Sequence, residues 1–158
     1  RVCAQGHARL KVVGDTPLEA PELGSALENE QWRPEREFDV FGEFDIGIMP
    51  LENTEYNRGK EAFKIKEYMA AGLPVVCSPV GHNLEVVEDG VTGLFASGEQ
   101  EWVDALEQLV EDAPLRARLG ASGRVLVEAR YALPLQAQRL ATIVKRAHTT
   151  RGGTGEAR

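Results

Sequence analysis

The sequence predicts an α/β domain of the Rossmann-like class, built on a doubly wound parallel sheet. Short apolar runs without polar alternation recur along its 158 residues, as strands buried on both faces require. The stretches between them carry helical spacing, and such alternation of strand and helix gives a sheet covered on both faces. With 42% apolar and 27% charged residues, the chain has the mix of one soluble domain with a core of its own.

The elements follow in order. Leu10–Val13 is a strand ended by Gly14-Asp15, and a second strand lies near Glu30-Gln31-Trp32. Pro34 opens a helix with Glu35 and Glu37 in its first turn, where acidic groups suit the helix dipole. Asp45–Met49, Pro74–Cys77 and Gly93–Ala96 are further strands; the first two stop at Pro50 and at Ser78-Pro79. A helix begins near Gly59 or Lys60 and ends at Gly72 and Pro74. Ser97 and Gln100 have capping-box spacing ahead of a helix whose Trp102, Ala105, Leu106, Leu109 and Val110 share one face. Asp112–Leu119 is a short helix stopped by Gly120, followed by helices over about Ser122–Arg130 and Leu135–Ala147. Residues 1–148 form the domain, and the Gly/Thr/Arg-rich Thr149–Arg158 reads as a disordered tail.

Composition removes several function classes. The net charge is −7, and no Lys/Arg cluster tracks a phosphate backbone, which argues against nucleic acid as a partner. No apolar run approaches the roughly 18 residues of a membrane span. Cys3 and Cys77 have no metal-type spacing, and Cys77 sits in an apolar run as a small buried thiol. No metal cluster, Ser/His/Asp arrangement or P-loop is visible. The expected setting is the cytoplasm, peripheral at most to the inner face of a membrane.

Chemistry concentrates after Asp45–Met49, since ligands of such sheets sit on the loops beyond the carboxyl ends of the strands. On a helix starting at Gly59 or Lys60, Lys60, Lys64 and Glu67 fall at i, i+4 and i+7 and share a stripe. Arg58 and Lys60 flank the first turn, whose free N–H groups and positive dipole end favour an anion. Cations placed there cost about 0.3–1 kcal/mol each unless an anion is bound. A diphosphate uses both the N–H groups and the cations. Glu67 lies roughly 10 Å further along the axis, and as an acceptor it suits a vicinal diol such as a ribose. Charge pattern alone also allows a plainer account, in which Lys64 and Glu67 are a surface pair and Arg58 and Lys60 are merely solvated. Gly81 and His82, in the loop Ser78–Asn83, are candidate rim residues, and His82 is open to either a phosphate contact or simple solvation. Trp32 and Trp102 read as packing.

The blocks D-I-G-I-M-P-L, R-G-K-E-A-F-K-I-K-E-Y-M-A-A-G-L-P-V-V-C-S-P-V-G and E-V-V-E-D-G-V-T-G-L-F resemble the retaining GT-B glycosyltransferases with a family-4-type C-terminal domain. The resemblance runs from about Leu10 to Ala147. It implies the C-terminal, donor-binding half of a GT-B fold and transfer of a sugar from a nucleotide diphosphate sugar, with no cofactor or metal. In that family two glutamates on the helix contact the transferred sugar and the nucleotide ribose. The second maps on Glu67; eight positions back stands Gly59. The sequence instead resembles a subgroup reading R-G-K, which keeps Arg58, Gly59, Lys60 and Lys64 as the donor-diphosphate site and Glu67 as the ribose site, and leaves the catalytic residue unassigned.

The resemblance further implies an acceptor-binding N-terminal domain that these residues do not include. It also implies that the chain begins after the first strand of the donor domain, with Arg1–Gly6 as a helix end. The strands Leu10–Val13 and Asp45–Met49 then expose facing edges that pair with each other, stay splayed or recruit another chain. A non-catalytic nucleotide-sensing or partner-binding module is the alternative function, and a related epimerase a third.

Overall fold

A computed structural model of the chain describes residues 2, 3, 6 and 8–152, with side chains as far as His148. Of the Arg1–Gly6 segment, Val2, Cys3 and Gly6 are described, in turns or a 3-10 turn; the remainder lies outside the described residues.

Five strands form, all paired in parallel. β1 (Leu10–Gly14) pairs with β2 (Leu27–Gln31), Leu10 opposite Leu27. β3 (Gly47–Met49), β4 (Val75–Cys77) and β5 (Leu94–Phe95) form a second sheet in that order. The expected single sheet is therefore in two parts among the described residues. β1 and β3 do not pair with each other, so of the outcomes foreseen for these edges direct pairing is not found. The second strand starts three residues before the expected Glu30, and its Glu28, Asn29 and Gln31 face outward, as suits an edge strand.

Helices cover both faces of the second sheet. Ile65, Met69, Val75, Cys77, Val86 and Val127 bury one face, and Val76, Ala96, Ala105, Leu109, Leu115 and Leu119 the other. Val75 and Cys77 thus point opposite to Val76, the period of two that a strand imposes. The helices are α1 (Glu55–Arg58), α2 (Phe63–Ala70), α3 (Asn83–Val86), α4 (Glu99–Glu111), α5 (Ala113–Tyr131) and α6 (Leu133–Gly152). None is long and apolar enough to cross a membrane.

Four expectations change. Pro34 opens only a 3-10 turn, Pro34–Arg36, followed by another over Asp39–Glu43. There Phe41 and Phe44 pack edge-on to Tyr68 with ring centroids 5.8 and 6.4 Å away, and this tertiary contact overrides the helical start. The capping box is not made by Gln100: the Ser97 N–H donates to Glu101 Oε2 at 2.7 Å, while Gln100 Nε2 donates to Asp104. Gly120 does not stop a helix. α5 runs through it because the glycine lets the helix touch the turn after α2, where a Cβ would strike the Gly72 carbonyl; one at Gly123 would come within 2.9 Å of Met69 Cγ. Finally, α6 continues to Gly152, so the first four residues of the expected tail are helical. Residues 153–158 lie outside the described ones.

The two sheets are tied by charge. Lys11 on β1 meets Glu28 and Glu30 at 2.8 Å and Glu43, from the turn before β3, at 2.5 Å. Arg36 bridges Glu30 and Glu43. These carboxylates, Glu28 foremost, hold the Lys11 ammonium well above its usual pKa.

Two predictions follow from this packing. Alanine normally improves an exposed helical glycine by about 1 kcal/mol, but Gly120→Ala should lower stability by about 1–3 kcal/mol through overpacking, read from the midpoint of chemical unfolding. Burial, with a smaller contribution from Asp89, pushes the Cys77 thiol from 9.0 to about 12. The folded state then keeps a proton that the unfolded state loses, so stability should fall as pH rises from about 9 towards 12. Cys77→Ala should lose the thiol's part of that alkaline slope; the half-buried Tyr68 phenol, also raised, retains its own.

Candidate functional site

β3, β4 and β5 run parallel and end at one edge of their sheet, and the loop after β3 carries the chemistry-bearing residues. Leaving β3 at Pro50, the chain forms α1, started by Thr54, whose Oγ1 accepts the Asn57 N–H at 3.2 Å. Asn57 Nδ2 donates to the Glu52 carbonyl at 3.0 Å. Gly59 ends this turn, and Lys60 and Glu61 lie outside helices before α2 starts at Phe63.

The i, i+4, i+7 stripe is therefore corrected. Arg58 closes α1, Gly59 is its C-cap, Lys60 is in the connection, and only Lys64 and Glu67 sit on α2. The physical cause is the Thr54 cap, which commits Glu55–Arg58 to a separate turn. Between the two helices the chain reverses at Ala62, which is fully buried with φ 51°. A non-glycine residue there costs on the order of 1–2 kcal/mol and is found where surrounding packing enforces it, often at functional sites.

The first turn of α2 has no side-chain cap, and the first backbone bond back onto it is from Lys66 N–H to the Ala62 carbonyl at 3.2 Å. The N–H groups of Phe63, Lys64 and Ile65 consequently have no intrahelical acceptor. Lys60 Nζ lies 5.4 Å from the Tyr56 ring centroid. The ion pairs beside the site are Lys64–Glu67 at 2.7 Å and Lys66–Glu61 at 3.8 Å; Arg58 and Lys60 belong to neither.

Lys64 and Glu67 do contact each other at i, i+3, as the plainer account had it, but Glu67 is not a surface residue. Its side chain is 13% exposed. Its Oε2 is buried and lacks an aligned hydrogen-bond donor, although the Lys64 ammonium is near.

The loop after β4 locks onto this assembly. Gly81, at φ 55°, passes so close to Arg58 that a Cβ would lie 2.5 Å from its carbonyl oxygen. Gly81 thus meets Arg58 by close approach and does not line the cavity beside these loops. His82 begins α3, a quarter exposed, its Nδ1 3.2 Å from Glu85 Oε2. Two residues that sequence reading passed over hold the loops. Ser78 Oγ accepts the Leu51 N–H at 2.9 Å. Asn83, fully buried, donates from Nδ2 to the Ser78 carbonyl at 2.9 Å while its Oδ1 is unpartnered. Small polar residues directly after an apolar run were the available signal. A cavity of about 410 Å³ opens between Leu51, Glu52, Asn53, Pro79, Val80 and Trp102. None of Arg58, Lys60, Lys64, Glu67 and His82 lines it. Trp102 both packs on the core and faces this cavity, whereas Trp32 is 40% exposed. Among the described residues no group of His, Cys, Asp and Glu could hold a metal.

Residues 1–112 match the family described as Glycosyl transferases group 1. A D-inositol 3-phosphate glycosyltransferase of Stackebrandtia nassauensis is 49% identical over 85 residues, 52% of this chain and 18% of that protein. Its counterpart in Paenarthrobacter aurescens is 33% identical over 106 residues, 66% of this chain and 21% of the other. The chain thus spans about a fifth of these relatives. Among solved structures, the sucrose-phosphate synthase of Thermosynechococcus elongatus superposes with TM-score 0.77 at 18% identity, over 94% of this chain and 42% of that one. Anabaena HepE, solved with UDP-glucose, gives 0.72 at 19% identity, over 87% and 41%. At such identities the likeness shows the fold, that of a Rossmann-like GT-B half.

The Gly81–Arg58 contact gives a prediction of its own. Gly81→Ala should push Arg58 outward and loosen α1, seen as faster amide exchange across Glu55–Gly59 with the exchange of β4 unchanged.

Proposed function

Because the chain belongs to the Glycosyl transferases group 1 family, we propose that it is the donor-binding part of a retaining GT-B glycosyltransferase. The diphosphate of a nucleotide sugar rests on the first turn of α2. The Phe63, Lys64 and Ile65 N–H groups donate to its oxygens, and Arg58, Lys60 and Lys64 neutralise it. Glu67 accepts hydrogen bonds from the ribose hydroxyls.

The observation that carries this reading is the Glu67 carboxylate, buried with one oxygen lacking an aligned donor beside an uncapped helix start. A diol adds an aligned donor beside the Lys64 ammonium that already faces this oxygen. Lys64, now paired with Glu67, then divides its charge between carboxylate and phosphate. As the glycosidic bond breaks, negative charge accumulates on the leaving diphosphate. Fixed N–H groups and cations stabilise that charge without reorganising, so the step calls for no cofactor or metal. Gly59, in place of a carboxylate, leaves the sugar itself to be held by other groups. The acceptor is supplied by a domain that these residues do not include, and the reading places the whole protein in the cytoplasm, peripheral at most to a membrane. The neighbour solved with UDP-glucose makes UDP the first nucleotide to test.

Calorimetric titration with UDP, GDP and ADP provides the test. At least one nucleotide should bind, and Glu67→Ala and Lys60→Ala should each weaken it about tenfold, roughly 1.4 kcal/mol. Unchanged affinity for every nucleotide in both variants would refute the site.

A further inference from the structure

The cavity of about 410 Å³ beside Trp102 lies at the carboxyl ends of β3, β4 and β5, where ligands of parallel sheets are bound. Its size falls within the roughly 300–1,000 Å³ of small-molecule sites. The loop after β3 brings Pro50 and Leu51 to it, the loop after β4 brings Pro79 and Val80, and α4 brings the half-buried Trp102. These residues make its lining apolar on one side. Glu52, Asn53, Ser78 and Ser97 complete it. The exposed side chains of Glu52, Asn53 and Ser97 and the Trp102 indole N–H make no hydrogen bond or ion pair among the described residues. Ser78 is only 5% exposed. Its Oγ accepts the Leu51 N–H, and its own hydroxyl proton has no acceptor among the described residues.

We propose that this cavity binds an uncharged pyranose ring. Such a ring has a C–H face for the indole and Val80, and hydroxyls that both donate and accept. Glu52, Asn53, Ser78 and Ser97 offer the matching acceptors and donors. Glu52 is the one charge in the lining, and it repels a phosphate. The cavity adjoins the proposed diphosphate site without sharing its residues. The Glu52 carbonyl accepts Asn57 Nδ2 at 3.0 Å, and Gly81, next in the chain to Val80, abuts Arg58. Two sources supply the same ring at that place. One is the sugar of the nucleotide donor, which meets no carboxylate at Gly59; the other is a sugar acceptor. Only the donor source rests on the proposed nucleotide site.

The test follows the Trp102 indole N–H by nuclear magnetic resonance, its signal assigned with Trp102→Phe. The probes are the methyl glycosides of glucose, galactose and N-acetylglucosamine, and UDP with and without the same sugars. At least one glycoside or UDP-sugar should shift the Trp102 signal saturably and leave that of Trp32 in place. Glu52→Ala should weaken that ligand's hold on Trp102 about tenfold, through the loss of a charged acceptor. A shift with a UDP-sugar and none with UDP marks the donor sugar, whereas a shift with free glycosides only marks an acceptor. No Trp102 shift with any sugar overturns the proposal. So does an equal shift with UDP alone, an equal affinity for cyclohexanol, which fills the apolar side without the hydroxyls, or an affinity that Glu52→Ala leaves unchanged. Failure of the nucleotide site is read separately, as Phe63–Ile65 amides that UDP does not move.

Discussion

The rotational setting of α2 about its own axis governs the site. Ile65 and Met69, one turn apart and both fully buried, fix that setting by packing between the β3–β4–β5 sheet and α5. Two glycines admit the helix so closely. A Cβ at Gly47 would run into Tyr68, and one at Gly123 into Met69. With those positions fixed, helical geometry brings Lys64 and Glu67 alongside each other near the helix start. The same packing presses Glu67 far enough inward to bury one carboxylate oxygen.

The loops obey a second constraint, which is mutual contact rather than burial. Arg58 abuts Gly81, Ser78 holds Leu51, and Asn83 holds Ser78. The loops after β3 and β4 consequently behave as one surface. The left-handed Ala62 is the joint between that surface and α2. In the proposed reading, cations from the connection and from the helix serve one anion there, locally offsetting the net charge of −7.

Much of this was legible in the sequence. Val75–Cys77 and Leu94–Phe95 declared themselves as short apolar runs, and α4 by its one-sided spacing, because burial there follows local pattern. What was misread depended on partners distant in sequence. Gly120 reads as a stop unless the nearby Gly72 carbonyl is known, and Pro34 starts a helix that the Phe41–Phe44–Tyr68 cluster redirects. Lys60 was assigned to α2 because a Thr-x-x-Asn turn gives a weaker signal than the lysine and glutamate spacing it interrupts. The burial of Glu67 was invisible, since only packing against α5 and the sheet makes a helical glutamate an interior one. The fold was thus readable, and the placement of Lys60 and Glu67 relative to α2 was not.

The most direct test of the donor-site account is a nuclear magnetic resonance titration of the protein with UDP, followed through the backbone amides. The account predicts that the largest shifts fall on Phe63, Lys64 and Ile65 and on the connection Gly59–Ala62, saturating together. Shifts confined to the cavity beside Trp102, with the first turn of α2 unmoved at saturation, would contradict it.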